Sequence, residues 1–342
     1  MPLRSDNPRS KNSILVTGGA GYIGSHVVLQ LVAAGERVVV VDDLSTGFAE
    51  AVVGAELVIA NVGDETRIER LLLERGIDTV MHFAARTIVP ESVADPLHYY
   101  GNNTCATRNL LACCAHVGVR HIVFSSTAAV YGVPAGGLAR EDSPTLPINP
   151  YGTSKLMSEW MLRDLAIAGG PRYVALRYFN VAGSDTQARI GQSTANATLL
   201  TKVACEVAVG RRPHVCIFGS DYDTPDGTGV RDYIHVDDLA RAHLDALAYL
   251  RAGGAPATLN CGYGHGYSVR EMIAAVGRAN GAPVPTVERP RRAGDPPSLI
   301  ADARRIRDTL GWQPLCDDLD LIARTALAWE RKLQARQAAG AA

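Results

Sequence analysis

A tyrosine and a lysine four residues apart, Tyr151 and Lys155 in the run Tyr151-Gly152-Thr153-Ser154-Lys155, form the pair with the clearest chemical use in this sequence. Four residues make about one helical turn, so a helix here sets phenol and ammonium on one face. Asn149 suits the cap of such a helix and Pro150 its first position. A free phenol ionises near pH 10, and each unit of downward shift is worth about 1.4 kcal/mol, which a nearby cation is expected to supply. A phenol so tuned can trade protons with a sugar hydroxyl. With 12 Tyr and 4 Lys in 342 residues, chance alone yields about 0.14 such pairs, so the pair needs supporting motifs.

The first support is Gly18-Gly19-Ala20-Gly21-Tyr22-Ile23-Gly24, which follows a predicted strand and opens a predicted helix. Gly18 permits a tight turn, Gly21 lets backbone approach a pyrophosphate, and Gly24 allows close helix–strand packing. The helix start then offers free N–H groups to the phosphates. About twenty positions on, at the end of the second predicted strand, stands Asp42, backed by Asp43. A carboxylate there accepts ribose hydroxyls and repels a 2′-phosphate, which favours NAD over NADP. The second support is Ser125-Ser126-Thr127, placed after the fifth strand, where open parallel sheets bind ligands. A hydroxyl there can orient a substrate oxygen.

The elements that must position these residues alternate in the first half of the chain. Strands are predicted over 14–17, 37–41, 56–59, 78–83, 121–125 and 173–178, and helices over 22–34, 65–75, 97–117 and 150–168. Runs such as VVVV fit strands buried on both faces. After residue 180 the rhythm breaks into Gly/Pro-rich stretches with short helices at 198–209, 236–251, 268–280 and 303–310, and 258–262 is expected to return to the sheet. The fold class is therefore α/β, a Rossmann-type doubly wound parallel sheet with a smaller C-terminal α/β substrate-binding lobe. The expected organisation is a flexible leader over 1–12 and an NAD-binding domain over 13–180 with a return near 232–262. A substrate lobe over 181–231 and 263–335 and a frayed tail over 336–342 complete it.

Composition sets bounds. Hydrophobic content of 47% and charged content of 20% describe an ordinary globule, and a net charge of −1 gives no reason to expect a nucleic-acid partner. Thirty Arg against four Lys give weight to a lysine at 155, because an arginine cannot shed its proton or act as a compact point charge. Seven cysteines without a C-x-x-C spacing indicate neither a zinc site nor any other metal centre, nor a disulfide framework; buried reduced thiols are expected. The N-terminal residues lack a signal-peptide core, and no run approaches a membrane span. A soluble, cytoplasmic protein is expected.

With its G-x-x-G-x-x-G spacing and the Tyr151/Lys155 pair, the sequence resembles the extended short-chain dehydrogenase/reductase superfamily over about 14–312. Within it, the chain is similar to the UDP-glucose 4-epimerase (UDP-galactose 4-epimerase) family. The matching segments are HFAA at 82–85, PESV at 90–93, YYGNN at 99–103, PYGTSKLMSE at 150–159, LRYFNVAG at 176–183, GTGVRDYIHVDDLA at 227–240 and RRAGDPPSLIAD at 291–302. The resemblance implies a catalytic set of Thr127, Tyr151 and Lys155. It implies a tightly bound NAD touched by Gly18, Gly21, Tyr22, Ile23, Gly24, Asp42, Asp43, Leu44, Ser45, Asn61 and Val62. Phe83, Ala84, Ala85, Asn102, Tyr151, Lys155 and Phe179 would lie toward its nicotinamide end. For a UDP-hexose it implies Thr127 and Asn180, Arg231 and Arg292 on the diphosphate, Asp295 on the uridine ribose, Leu200, Cys216 and Phe218 around uracil, and Leu299 as a gate at sugar C2.

The implied reaction removes the 4-OH proton with Tyr151 while the C4 hydride passes to NAD. The 4-keto sugar then turns about its diphosphate and takes the hydride back. A homodimer through the helices at 97–117 and 150–168 is implied as well. The chain departs from the family pattern at Asn61, where an acidic residue is usual, at Thr87 in place of a lysine, and at Leu199 in place of an asparagine. A 4,6-dehydratase on this scaffold needs an acid and a base after the threonine, where Ala128 and Ala129 stand. Epimerisation of UDP-GlcNAc, UDP-xylose/UDP-arabinose or UDP-glucuronate stays open as an alternative, as does a non-catalytic NAD-binding regulator.

Overall fold

Strands rich in β-branched residues, buried on both faces, build the centre of the molecule. The computed structural model describes residues 13–195, 197–292 and 294–340; the expected leader over 1–12 and the last two residues of the expected tail lie outside them. Seven strands, β1 (Ser13–Thr17), β2 (Arg37–Asp42), β3 (Glu56–Ile59), β4 (Ile77–His82), β5 (His121–Thr127), β6 (Arg172–Tyr178) and β7 (Ala257–Cys261), form one sheet in the order β7-β6-β5-β4-β1-β2-β3. Every pairing in it is parallel. The fold is α/β and Rossmann-type. The chain runs outward from β1 to β3 and then returns to β4, so the order reverses between β1 and β4. Ligands bind at such a reversal, beyond the carboxyl ends of the strands.

Alternation along each strand divides the core in two. Ile14, Val16, Val38, Val40 and Met81 face α1 (Tyr22–Ala33) and Val236–Arg251. Leu15, Val39, Val41, Val80 and Ile122 face α2 (Glu65–Arg75) and α3 (Ala106–Val117). Each such side chain contributes about 1.5–3 kcal/mol by leaving water. Local signals set the helix ends. Asp64 caps α2 by accepting from Arg67 N at 3.1 Å, and Gly76 ends it in the left-handed region. Beyond the sheet, Val230–Arg231 pairs in parallel with Ser298–Ala301, and Val215–Phe218 with Thr286–Arg289.

Three expectations need correction. The segment 97–117 is not one regular helix: a short turn, Pro96–Tyr99, passes through a π-helical stretch, Tyr100–Cys105, before α3 begins. Asn103 within that stretch is buried and bonds Arg86 N and O and Ser154 Oγ, so tertiary bonds accompany the widened turn. The C-terminal segment carries a helix absent from the expected elements: it runs over Leu319–Gly340 with Ile322, Ala323, Leu327 and Trp329 buried. Finally, the seven thiols are unpaired, but Cys105 is exposed and Cys216 and Cys316 are only partly covered.

Candidate active site

The helix α4 (Pro150–Ile167) carries the tyrosine–lysine pair at its start. Asn149 Oδ1 accepts from Gly152 N at 2.9 Å, and Pro150 occupies the first position, as the sequence suggests. A methyl at Gly152 would lie 2.6 Å from Ala129 O, so glycine is what lets this helix start press onto the turn after β5. That approach brings Tyr151 to Thr127. The Thr127 side chain is the group that acts on the Tyr151 phenol, and Thr127 Oγ1 accepts from Ala129 N at 3.1 Å.

The electrostatics differ from the simple expectation. Tyr151 keeps some surface open as a residue, but its hydroxyl is enclosed, and burial raises the phenol above its ordinary value while Thr127 opposes the rise. Lys155 makes no hydrogen bond to the phenol. Its ammonium is turned to Ser125 O at 2.8 Å and stands 4.9 Å from the Phe124 ring centroid. Burial pulls this lysine down to about 7, with the Glu159 carboxylate opposing. The lysine therefore grips the end of β5 instead of neutralising the phenol directly.

The glycine turn fits a dinucleotide. Gly18 has φ +69°, and a methyl on it would lie 2.5 Å from Ala84 N; one on Gly24 would lie 2.3 Å from Gly18 O. A methyl on Gly21 meets only Gly18 O at 3.3 Å, so its remaining space faces the ligand side. No side chain caps α1 and no acidic residue occupies its first turn, which leaves the positive helix end for an anion. Asp42 accepts from Ala20 N at 2.9 Å and Leu44 N at 2.8 Å, holding Leu44 at φ +58°, and each carboxylate oxygen keeps a further lone pair for a ribose. Asp43 accepts from Ser45 N at 3.0 Å.

Other expected cofactor residues divide. Tyr22 has its hydroxyl engaged by Gly183 O at 2.6 Å, Ile23 packs into the core, and Val62 is buried, so these offer backbone only. Asn61 Oδ1 accepts from Gly63 N at 2.7 Å. Phe83, Ala84 and Ala85 are partly open beside the glycine turn, and Asn102 is partly open on the π-helical stretch. Thr87 is exposed. The adjacent cation is Arg86, whose Nε is buried without a partner.

The residues assigned to a nucleotide sugar come from five segments. Leu299 is the register partner of Arg231, and it packs with Phe179 on Ala128, Val130 and Tyr131. Arg231 lies 4.0 Å from Asp295, not paired to its neighbours Asp232 or Asp237. Arg292 stacks 3.8 Å from the Phe218 ring centroid. Cys216 and Phe218 alternate with buried Val215 and Ile217, so their side chains share the opposite, partly open face. Leu200 opens the helix Leu200–Ala208, and Leu199 before it provides no cap. Asn180 N donates to Asp232 O at 3.0 Å, which sets it beside Arg231.

Sequence reasoning passed over Asn103, Ser125, Glu159 and Arg177, which tie the site together from behind. Their partners lie far off in sequence, so no local spacing marks them.

The chain is similar to known proteins along most of its length. Residues 14–262 match the model of the NAD dependent epimerase/dehydratase family. The UDP-glucose 4-epimerase of Azospirillum brasilense is 54% identical over 331 residues, covering 96% of this chain and 95% of that one. The solved UDP-glucose 4-epimerase of Brucella ovis in complex with NAD superposes with a TM-score of 0.91 at 44% identity, covering 93% and 98% of the two chains. The UDP-Glc/GlcNAc 4-epimerase of Campylobacter jejuni has a TM-score of 0.83 at 46% identity, covering 94% and 99%.

Proposed function

The chain belongs to the NAD dependent epimerase/dehydratase family, and on that premise we propose that it is an NAD-dependent epimerase interconverting UDP-glucose and UDP-galactose at C4. The observation that carries this reading is the Thr127–Tyr151 hydroxyl pair at the carboxyl end of β5, with buried Ala128 directly after it. Alanines there leave no acid and base for a dehydration, so reversible oxidation at one carbon, with the proton exchanged on its oxygen, is what remains.

NAD, held there, would supply a hydride acceptor and donor. The chain's residues do the rest. The glycine turn and α1 hold the cofactor's diphosphate, and Asp42 takes the adenosine ribose. Thr127 orients the sugar O4, and Tyr151 removes its proton and returns it. Arg231 and Arg292 neutralise the UDP diphosphate, with the Phe218 ring supporting Arg292 and Cys216 and Leu200 completing an apolar slot for uracil. Phe179, Leu299 and Ala128 shield the reacting carbon from water. The test is incubation of the purified protein with UDP-glucose, UDP-galactose and other UDP-sugars without added NAD, with the epimers resolved chromatographically. Failure to convert either hexose overturns the reading. Conversion of UDP-GlcNAc at a comparable rate extends it, as the similarity to a UDP-Glc/GlcNAc 4-epimerase suggests.

Replacing Arg231 with alanine removes a charge-assisted contact worth about 1.5–3 kcal/mol, so KM for the UDP-sugar should rise about 10- to 150-fold. NAD content should stay at one per chain, and its loss would contradict the assignment to substrate.

The proposal includes a homodimer. Its support is a row of exposed apolar side chains, Val93 at 62%, Leu97 at 79% and Trp160 at 46%, on neighbouring segments at 89–99 and on α4. A Leu97→Arg/Trp160→Glu variant should sediment as a monomer where the unaltered chain sediments as a dimer; equal sedimentation of the two would refute this interface. Among the described residues no helix is long and apolar enough to cross a membrane. The unpaired cysteines support a reducing cytoplasmic setting.

A further inference from the structure

A buried chain of hydrogen bonds runs from the glycine turn to the helix that carries Tyr151. Thr17 ends β1 directly before Gly18, and its register partner His82 ends β4 directly before Phe83. These are the two strands between which the sheet order reverses. Thr17 Oγ1 lies 2.6 Å from His82 Nδ1, and His82 Nε2 lies 2.8 Å from Thr107 Oγ1 on α3. Thr107 Oγ1 donates to Asn103 O at 2.5 Å. Asn103 Oδ1 accepts from Arg86 N at 2.8 Å, and its Nδ2 donates to Arg86 O and to Ser154 Oγ, both at 3.0 Å. Ser154, between Tyr151 and Lys155 on α4, donates to Tyr151 O at 2.7 Å. Thr17, His82, Thr107, Asn103 and Ser154 are all at most 2% exposed.

The hydrogens of this chain can be assigned one by one. A carbonyl oxygen only accepts, so the single Thr107 hydroxyl hydrogen points to Asn103 O, and Thr107 can only accept from the imidazole. His82 Nε2 therefore carries the ring hydrogen. Burial and the Lys155 charge lower the ring to about 3 and keep it neutral, which leaves Nδ1 to accept from Thr17 Oγ1. Ser154 likewise gives its hydrogen to Tyr151 O and accepts from Asn103. The imidazole also stacks on Phe124 of β5, with ring centroids 5.8 Å apart. A buried polar network whose members are all satisfied rigidifies what it joins. Here it joins the strand end before the glycine turn, the loop at Arg86 and the helix start that bears Tyr151.

We propose that His82 is a positioning residue for the coupled hydride and proton transfer: through Thr17 and Thr107 it fixes the glycine turn, which holds the cofactor, against α4, which holds Tyr151. This inference rests on the epimerase reading. Hydride acceptor and phenol must address one carbon and its oxygen together, and a misplacement of about 1 Å can cost about 10²-fold in rate. Buried as it is, His82 offers no surface to the sugar, so substrate affinity does not depend on it.

The experiment compares His82→Phe, which keeps a ring and removes both bonds, with Thr107→Val, which removes the next link, and with Thr79→Val. Thr79 is a buried hydroxyl earlier on β4, bonded to Asp78 Oδ1 at 2.9 Å and outside the chain, so its loss reports a weakened strand alone. For each, kcat per bound NAD, KM for UDP-galactose and the isotope effect on kcat from deuterium at sugar C4 are measured. His82→Phe and Thr107→Val should each lower kcat per bound NAD about tenfold, hold KM and raise the isotope effect, because hydride transfer becomes the slow step. Thr79→Val should leave all three in place. Independently of turnover, ¹⁵N NMR of the unaltered protein should show the His82 ring hydrogen on Nε2. Should His82→Phe fail to fold, Thr107→Val decides. Unchanged kcat per bound NAD, an unmoved isotope effect, equal losses in Thr79→Val, or a ring hydrogen on Nδ1 overturns the inference. An inactive wild type overturns the epimerase reading instead.

Discussion

Replacing Tyr151 with phenylalanine should lower kcat for UDP-galactose by about 10²- to 10⁴-fold, the range in which a positioned acid–base group acts. The change removes one oxygen and keeps the ring that packs at the start of α4. Thr127 loses its phenol partner but still accepts from Ala129 N at 3.1 Å, so no buried group is left bare and stability should change little. Cofactor retention should be unaffected, because the glycine turn, α1 and Asp42 lie on other elements. Chromatographic assay of kcat, with NAD measured after acid release, checks both parts. Wild-type turnover in this variant would remove Tyr151 from the chemistry, and loss of NAD would make it a cofactor anchor.

The second large effect separates two glycines of the same turn. Gly24→Ala drives a methyl to 2.3 Å from Gly18 O and 2.9 Å from Gly19 Cα. The turn must open, at a cost of about 1–3 kcal/mol typical of overpacking, and both thermal stability and bound NAD should fall. Gly21→Ala places its methyl 3.3 Å from Gly18 O and near nothing else in the protein. Its apoprotein should melt close to wild type, while NAD affinity drops, since the methyl fills space a diphosphate needs. Melting curves of the apoproteins and NAD titrations read the two effects independently. Equal melting of both variants would contradict the packing role of Gly24, and full NAD affinity in Gly21→Ala would contradict the cradle.

Much of this was legible in the residues because its causes are local. The glycine turn needs a left-handed Gly18 and a bare Gly24, demands that spacing alone reveals. The helix start at Asn149-Pro150 is written in its cap. Runs such as Val38–Val41 mark strands covered on both faces, and observed strand ends differ from the predicted ones by at most two residues. The tuning of the phenol was not legible. Helical spacing sets Tyr151 and Lys155 on one face, but whether the ammonium meets the phenol or the Ser125 carbonyl depends on β5, which reaches them from elsewhere in the chain. Glu159 stands in plain sight in PYGTSKLMSE, yet its partner is Arg177, eighteen residues away on another element. The helix Leu319–Gly340 is absent from the predicted elements, although Leu319, Ile322, Ala323, Leu327 and Glu330 are buried at helical spacing.

In the proposed reaction Tyr151 handles a proton while hydrogen at C4 leaves and returns without meeting solvent. The direct measurement is incubation of UDP-galactose with the purified protein in D₂O, without added NAD, followed by NMR of the sugar C4 position. The prediction is conversion to an equilibrium mixture with UDP-glucose carrying no deuterium at C4. Deuterium at C4, or no UDP-glucose at all from protein carrying its NAD, would contradict it.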